Sequence, residues 1–149
     1  MVNWEAIGAI GEIGGAIAVV VTLLFLARQV KDASRQFTLA SAAEANDLYS
    51  NAWWPIYQSK ENLRIWSVGQ RDPMSLEPDD LEIFMLFMTR LMAVYDTVVE
   101  HYTEGAISED KMTRYRDFTK QFLVSPGGRV WRERQHYVMS AEGLRLMDN

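Results

Sequence analysis

The chain contains no cysteine. That removes disulfides, thiol nucleophiles and thiolate metal sites together, and leaves the redox compartment open. Histidine is scarce, with two residues, and proline occurs four times. Basic charge is also in short supply, since 15 Lys and Arg face 20 Asp and Glu for a net charge of −5. A general nucleic-acid binder needs the opposite balance, and no basic patch with interleaved aromatics overturns it, so no nucleic-acid partner is expected. Strand-like alternation, internal repeats and low-complexity linkers are missing as well, which leaves an all-α reading. Neither a P-loop nor a GxSxG nucleophile turn appears. The Gly11–Gly15 spacing is no dinucleotide fingerprint, because it sits inside an apolar helical run rather than after a strand.

What the chain does have is a long apolar opening, MVNWEAIGAIGEIGGAIAVVVTLLFL. Between Ile7 and Leu26 the one charged residue is Glu12. Twenty residues at about 1.5 Å each span about 30 Å, the thickness of a bilayer's hydrocarbon core. Trp4 before the run, and Arg28, Lys31 and Arg35 behind it, match an aromatic anchor at one interface and snorkelling cations at the other. The three cations share one helical face, where anionic lipid headgroups would meet them. A cleaved signal peptide would carry its positive charge first and end at a small-x-small site; here the order is reversed and the run ends LLFLARQ. By the positive-inside rule the N-terminus is expected outside and the region from Arg28 onward in the cytoplasm.

Within this run Gly8, Gly11 and Gly15 recur at spacings of three and four, and Ala18 continues the strip. Such a smooth face lets another helix backbone approach closely in lipid, so it reads as a surface for helix association, with contact to lipid alone as the competing account. Glu12 lies beside the strip, about 9 Å into the apolar layer by helix rise. A carboxylate there is costly unless it is protonated, paired, facing water or snorkelling to the outer headgroups.

Beyond residue 27 the spacing predicts a cytoplasmic helical domain over 28–149, with helices at about 28–57, 60–69, 78–104, 109–124 and 126–140. In the first, Leu39, Ala42, Tyr49, Trp53 and Ile56 recur at helical spacing, and Trp53-Trp54-Pro55 should end or kink it. The paired tryptophans read as a core or interface anchor before a ligand platform. Leu63, Ile65, Trp66 and Val68 mark a short helix closed by Gly69. Glu77, Pro78, Asp79 and Asp80 make a strong helix start, since acids there meet the exposed N–H groups and the positive end of the dipole. The helix that follows is apolar on one broad face, from Leu81 to Tyr102. Ile83, Phe87 and Val94 begin a second face, so it should be central to its bundle or shared with a second protomer. Ser108 caps the next helix, whose inward residues are Met112, Tyr115, Phe118, Phe122 and Leu123. Ser125-Pro126 starts the last, with Val130, Trp131 and Tyr137 inward, and SAEGLRLMDN reads as a tail.

WEAIGAIGEIGGAIAVVVTLLFLARQVKDASR, LEPDDLEIF, the Glu104-Gly105 junction and SPGGRVWRERQHY together resemble a widespread group of uncharacterised bacterial single-span membrane proteins. In that group an N-terminal Trp, a glycine-bearing span and a basic polar exit precede a helical cytoplasmic region. The resemblance covers most of the chain and implies the bacterial inner membrane, one span and an all-α domain. It implies no catalytic residues. Ala33-Ser34 stands where the group usually has Asn-Thr, and the Trp often found after the glycine junction is absent.

Candidates for catalysis are thin. Asp96, Glu100 and Glu104 fall on one helical face with His101 adjacent, and Glu133 with His136 forms ExxH. A di-iron bundle uses two such units and this chain has one, so a solvated acidic stripe is the simpler reading and neither metal nor cofactor is expected. Arg129, Arg132 and Arg134 could clasp an anion near exposed N–H groups, but they alternate with Glu133 like an ordinary charged surface. The sequence therefore points to a non-catalytic scaffold or accessory subunit, acting as a homo-oligomer or within a membrane complex and in contact with membrane lipid. The alternative is an oligomeric channel or transport component with Glu12 facing the pathway.

Overall fold

A computed structural model of the protein describes residues 4–148, excluding the side chains of residues 4–7, 9, 10 and 136. The proposed anchoring by Trp4 and the His136 half of ExxH lie outside the described side chains. Six helices occur among the described residues: α1 (Trp4–Tyr57), α2 (Lys60–Arg71), α3 (Pro78–Thr103), α4 (Glu109–Leu123), α5 (Pro126–Gln135) and α6 (Ala141–Asp148). Short 3-10 turns cover Pro73–Ser75 and His136–Val138, and no strand occurs among the described residues. The protein is all-α.

Pro55 lies inside the last turn of α1, which ends two residues after it. The helix runs through Pro55 to Tyr57, because a proline this near the terminus forfeits one backbone bond in the last turn. Gln58 N–H still donates to the Trp54 carbonyl at 3.1 Å, and Asn62 Nδ2 donates to the Pro55 carbonyl at 2.6 Å. The chain divides into two compact units, one up to Phe37 and one from Thr38. In the first, every described side chain of α1 is exposed.

The second unit is a bundle built on α3, which packs against α2, α4, α5 and α6. Phe84, Met88, Leu91, Met92, Val98 and Val99 along α3 are buried almost completely. Phe87 is buried too, and Ile83 and Val94 are half-buried against the core, so the second apolar face of α3 is covered inside this unit. Ser41, Ala45, Tyr49, Ala52 and Ile56 form the buried stripe of α1, at the spacing of three and four that one helical face requires. Leu39, expected on that stripe, is 61 % exposed.

Helix starts follow the local chemistry. Pro78 opens α3 with Asp79 and Asp80 in its first turn, and Ser59 caps α2 by accepting from Asn62 N–H at 3.0 Å. Gly105 stops α3 with φ of +75°, the left-handed conformation that suits glycine at a helix end. Gly69, read as a stop, lies instead inside α2 and is buried. Its backbone meets that of Gly127 on α5: a methyl group placed on Gly127 would lie 2.1 Å from the Gly69 carbonyl oxygen. Gly127 and Gly128 are buried, so the exposed N–H groups expected near them are not available to a ligand.

The segment read as a tail forms α6. Ser140 caps it, accepting from Gly143 N–H at 2.9 Å, while its own N–H and hydroxyl donate to the Asp96 carboxylate at 3.1 and 2.6 Å. Gly143 and Met147 are buried. Tyr137, expected inward, is 74 % exposed because the chain leaves the α5 helix for a 3-10 turn before reaching it, which breaks the helical register.

Candidate functional site

Two surfaces carry exposed apolar side chains that need an explanation, one in each unit. On the first, Ile13, Ile17, Val19 through Val21 and Leu23 through Leu26 are between 48 and 61 % exposed. The helix that holds them is long and apolar enough to cross a membrane, with a mean hydropathy of 2.0 over its most apolar window and none of that window buried. Thr22 satisfies its hydroxyl within the helix, donating to the Ala18 carbonyl at 2.9 Å.

Gly8, Gly11 and Gly15 have open space where a side chain would stand, with nothing among the described residues within 4 Å. Ala18 beside them is exposed, as are Glu12, Arg28, Lys31 and Arg35. None of these four charged residues belongs to an ion pair among the described residues.

The second surface is a groove of about 640 Å³ between α1 and α4. From α1 it takes Tyr49, Ser50, Trp53, Trp54 and Tyr57. From α4 it takes Lys111, Arg114, Tyr115 and Phe118, residues at spacings of three and four that share one helical face. The paired tryptophans therefore divide their roles. Trp53 is half-buried, packing edge-on against Trp66 at 5.2 Å and Phe118 at 5.9 Å, whereas Trp54 is 63 % exposed in the groove. Tyr57 and Phe118 are exposed beside it by 64 and 41 %. Spacing alone puts Phe118 in the core, whereas in the structure it lines the groove.

The groove floor is fixed. Tyr49 stacks on Tyr115 at 4.7 Å and its hydroxyl is hydrogen-bonded to that of Thr119 at 2.8 Å. Burial pushes the Tyr49 phenol well above its ordinary range, with the Thr119 hydrogen bond opposing, and burial raises Tyr115 too. Tyr95 on α3 is pushed up to about 12, again by burial, and its hydroxyl has no hydrogen-bond partner among the described residues.

A phenol whose pKa is raised by folding binds its proton more tightly in the native state. For Tyr95 that contribution is complete below about pH 10 and is lost as pH rises from there toward about 12, at about 1.4 kcal/mol per pH unit. We expect the unfolding midpoint of the second unit to be insensitive to tyrosine ionisation below about pH 9 and to fall steeply above pH 10. Replacing Tyr95 by phenylalanine should shallow that fall. Denaturation followed by tryptophan fluorescence across pH 8–11.5 checks this, and an unchanged slope in Tyr95→Phe would refute it.

The remaining candidates are absorbed by structure. Asp96 is taken up by Ser140, and Glu100 and Glu104 are exposed. His101 Nδ1 is buried without a hydrogen-bond partner among the described residues. No group of three or more His, Asp or Glu residues able to hold a metal ion occurs among the described residues. Arg132 is paired with Asp148 at 2.8 Å and Arg129 donates to the Val124 carbonyl at 3.2 Å, so the three arginines do not converge on one point as an anion clasp. Arg134 lies apart, with Gln135 and the start of α3.

No protein-family model, no curated protein and no solved structure matches this chain.

Proposed function

We propose that this protein is a single-span protein of the bacterial inner membrane, N-terminus outside, whose helical second unit lies in the cytoplasm and which works by helix association rather than catalysis. The observation that carries the reading is the apolar stretch from Ile13 to Leu26, about half or more exposed at every large side chain within the described first unit. Burying such surface is favourable by about 25 cal/mol per Å², so it belongs in lipid or against other helices. Trp4 on one side and Arg28, Lys31 and Arg35 on the other support a transmembrane placement with lipid as the surrounding partner, and the excess of cations after the span supports the orientation. Membership of the single-span group that the sequence resembles is part of the same proposal.

Open space at Gly8, Gly11 and Gly15, continued by Ala18, supports the association step. Without a hydrophobic drive between helices in lipid, close backbone approach over small residues is what brings spans together. The partner is a second copy or a subunit of a larger membrane complex, which makes the protein a scaffold or accessory subunit.

The test is the mass of the assembly extracted in mild detergent, for the wild type and for Gly11→Ile with Gly15→Ile. We expect a discrete complex that dissociates at least about tenfold more readily in the double variant, a loss of about 1.4 kcal/mol. A monomer in both would sink the association reading. The transport alternative rests on Glu12, whose exposed carboxylate stands on this same stretch. Glu12→Gln should leave the assembly mass unchanged; a changed ion conductance in that variant would favour transport over scaffolding.

A further inference from the structure

The groove between α1 and α4 is not needed by the association reading and lies wholly within the second unit. We infer that it is a binding site for a single-chain anionic amphiphile, a molecule with an apolar chain and one carboxylate head. The body of the site is aromatic: Trp54, Tyr57 and Phe118 are left open at one place, beside a floor in which Tyr49 stacks on Tyr115 and Trp53 packs against Tyr57 and Phe118. Isolated exposed aromatics are ordinary, but three converging on a fixed concavity present one continuous apolar surface.

The charge in the groove is of one sign. Lys111 and Arg114 line it, and no carboxylate does. Lys111 Nζ donates to the Ala42 carbonyl at 3.3 Å and stands 6.0 Å from the Tyr115 ring centre, which leaves two of its three donors for a ligand. Arg114 is paired with Asp110 at 2.8 Å, with the two side chains 72 and 80 % exposed. A pair so exposed contributes little and exchanges readily for another carboxylate. A charged head would thus meet two cations at the rim while its chain covered the rings.

Size selects a small molecule over a macromolecule. The volume of about 640 Å³ falls inside the range of ligand pockets. Nine residues line it, well short of the ~20–30 per side that a stable protein interface uses. Rigid rings also lower the ordering cost of binding, since the floor is already stacked before a ligand arrives.

The test uses the full chain in phosphatidylcholine bilayer discs, titrated with a terminally brominated dodecanoate, whose bromine quenches tryptophan on contact. We expect saturable quenching that is reversed by unlabelled dodecanoate and not by dodecanol. Lys111→Met with Arg114→Ala should weaken binding about tenfold, consistent with the loss of charge-assisted contacts. Both side chains lie at the rim, and an unchanged thermal transition verifies that the variant is folded. Trp54→Leu should remove a large part of the saturable signal.

Quenching that never saturates, or that ignores the rim substitutions, would mean simple partitioning into the bilayer and would overturn the site. Equal competition by dodecanol would overturn the anionic specificity. If the chain remained in solution without lipid, the membrane reading would fail by itself; the same titration then runs in buffer and still decides the groove.

Discussion

Gly127→Ala is expected to destabilise the second unit by about 2 kcal/mol, lowering its melting temperature by on the order of 10 °C. The added methyl would stand 2.1 Å from the Gly69 carbonyl oxygen and 2.5 Å from Cζ of Phe84. A flexible side chain in the way can swing aside, but here the obstacle is the backbone of α2. Relief requires α2 and α5 to separate, which opens the core around Phe84, a residue with no exposed surface. Alanine also favours helix over glycine by about 1 kcal/mol, so the packing penalty must exceed the observed loss by that amount.

Two comparisons separate this mechanism from a general intolerance of substitution. A methyl on Gly143 would meet Oδ1 of Asp96, the end of a side chain, so Gly143→Ala should cost less. Gly14 has nothing within 4 Å, and Gly14→Ala should leave the melting of the second unit unchanged. Thermal unfolding of the three variants, followed by near-ultraviolet circular dichroism, gives the ranking. A Gly127→Ala protein that melts with the wild type would show that the two helices are not packed backbone to backbone.

Trp131→Ala is expected to cost about 3–5 kcal/mol, the loss typical of removing a large aromatic side chain from a core. Trp131 has no exposed surface, and its indole N–H donates to Thr89 Oγ1 at 2.9 Å. Thr89 in turn donates to the side-chain oxygen of Gln135, so the ring both fills the space between α5 and α3 and anchors a short polar chain. Trp131→Phe separates these contributions. It keeps most of the buried ring and leaves Thr89 its bond to Gln135, so it should cost about 1 kcal/mol, in line with one lost hydrogen bond. Urea titration of both variants measures the difference. Equal losses would mean that the hydrogen bond, not the packed ring, dominates at this position.

The legible parts of the fold are those whose physics operates within one or two turns. Helix starts at Pro78 and after Ser108 follow from proline and acids at exposed N–H groups, and the apolar face of α3 from the recurrence of Phe84, Met88, Leu91 and Tyr95. Where spacing is the sole guide it identifies a face without saying how far the neighbours cover it. Phe118 and Leu39 share a period with buried residues, yet one lines the groove and the other is exposed. Tyr137 keeps the α-helical count in the sequence, but in the structure it lies within the 3-10 turn His136–Val138, where that count no longer holds.

Glycine shows the division most clearly. The strip of Gly8, Gly11 and Gly15 is visible as a period and has open space around it, while Gly69, read as a helix stop, and Gly127 and Gly128, read as the exposed start of a helix, are buried contacts of the bundle. Their role depends on which backbone lies opposite, and the partner of Gly127 is 58 residues away at Gly69. Asp96 is similar: its i+4 neighbours made it part of an acidic stripe, but its hydrogen bonds go to Ser140, 44 residues along the chain, where they build the cap of α6.

By itself the sequence determined that this protein is all-α, that its first helix carries an apolar stretch long enough to cross a membrane, and where most of its other helices begin. Those follow from hydropathy and from caps, which act over a few residues. Only the tertiary structure decided that α1 and α4 enclose an aromatic groove with Lys111 and Arg114 at its rim, that glycines let α2 and α5 touch, and that the last residues form a docked helix. Each depends on side chains separated by tens of residues, and no local period reports what a distant segment places against it.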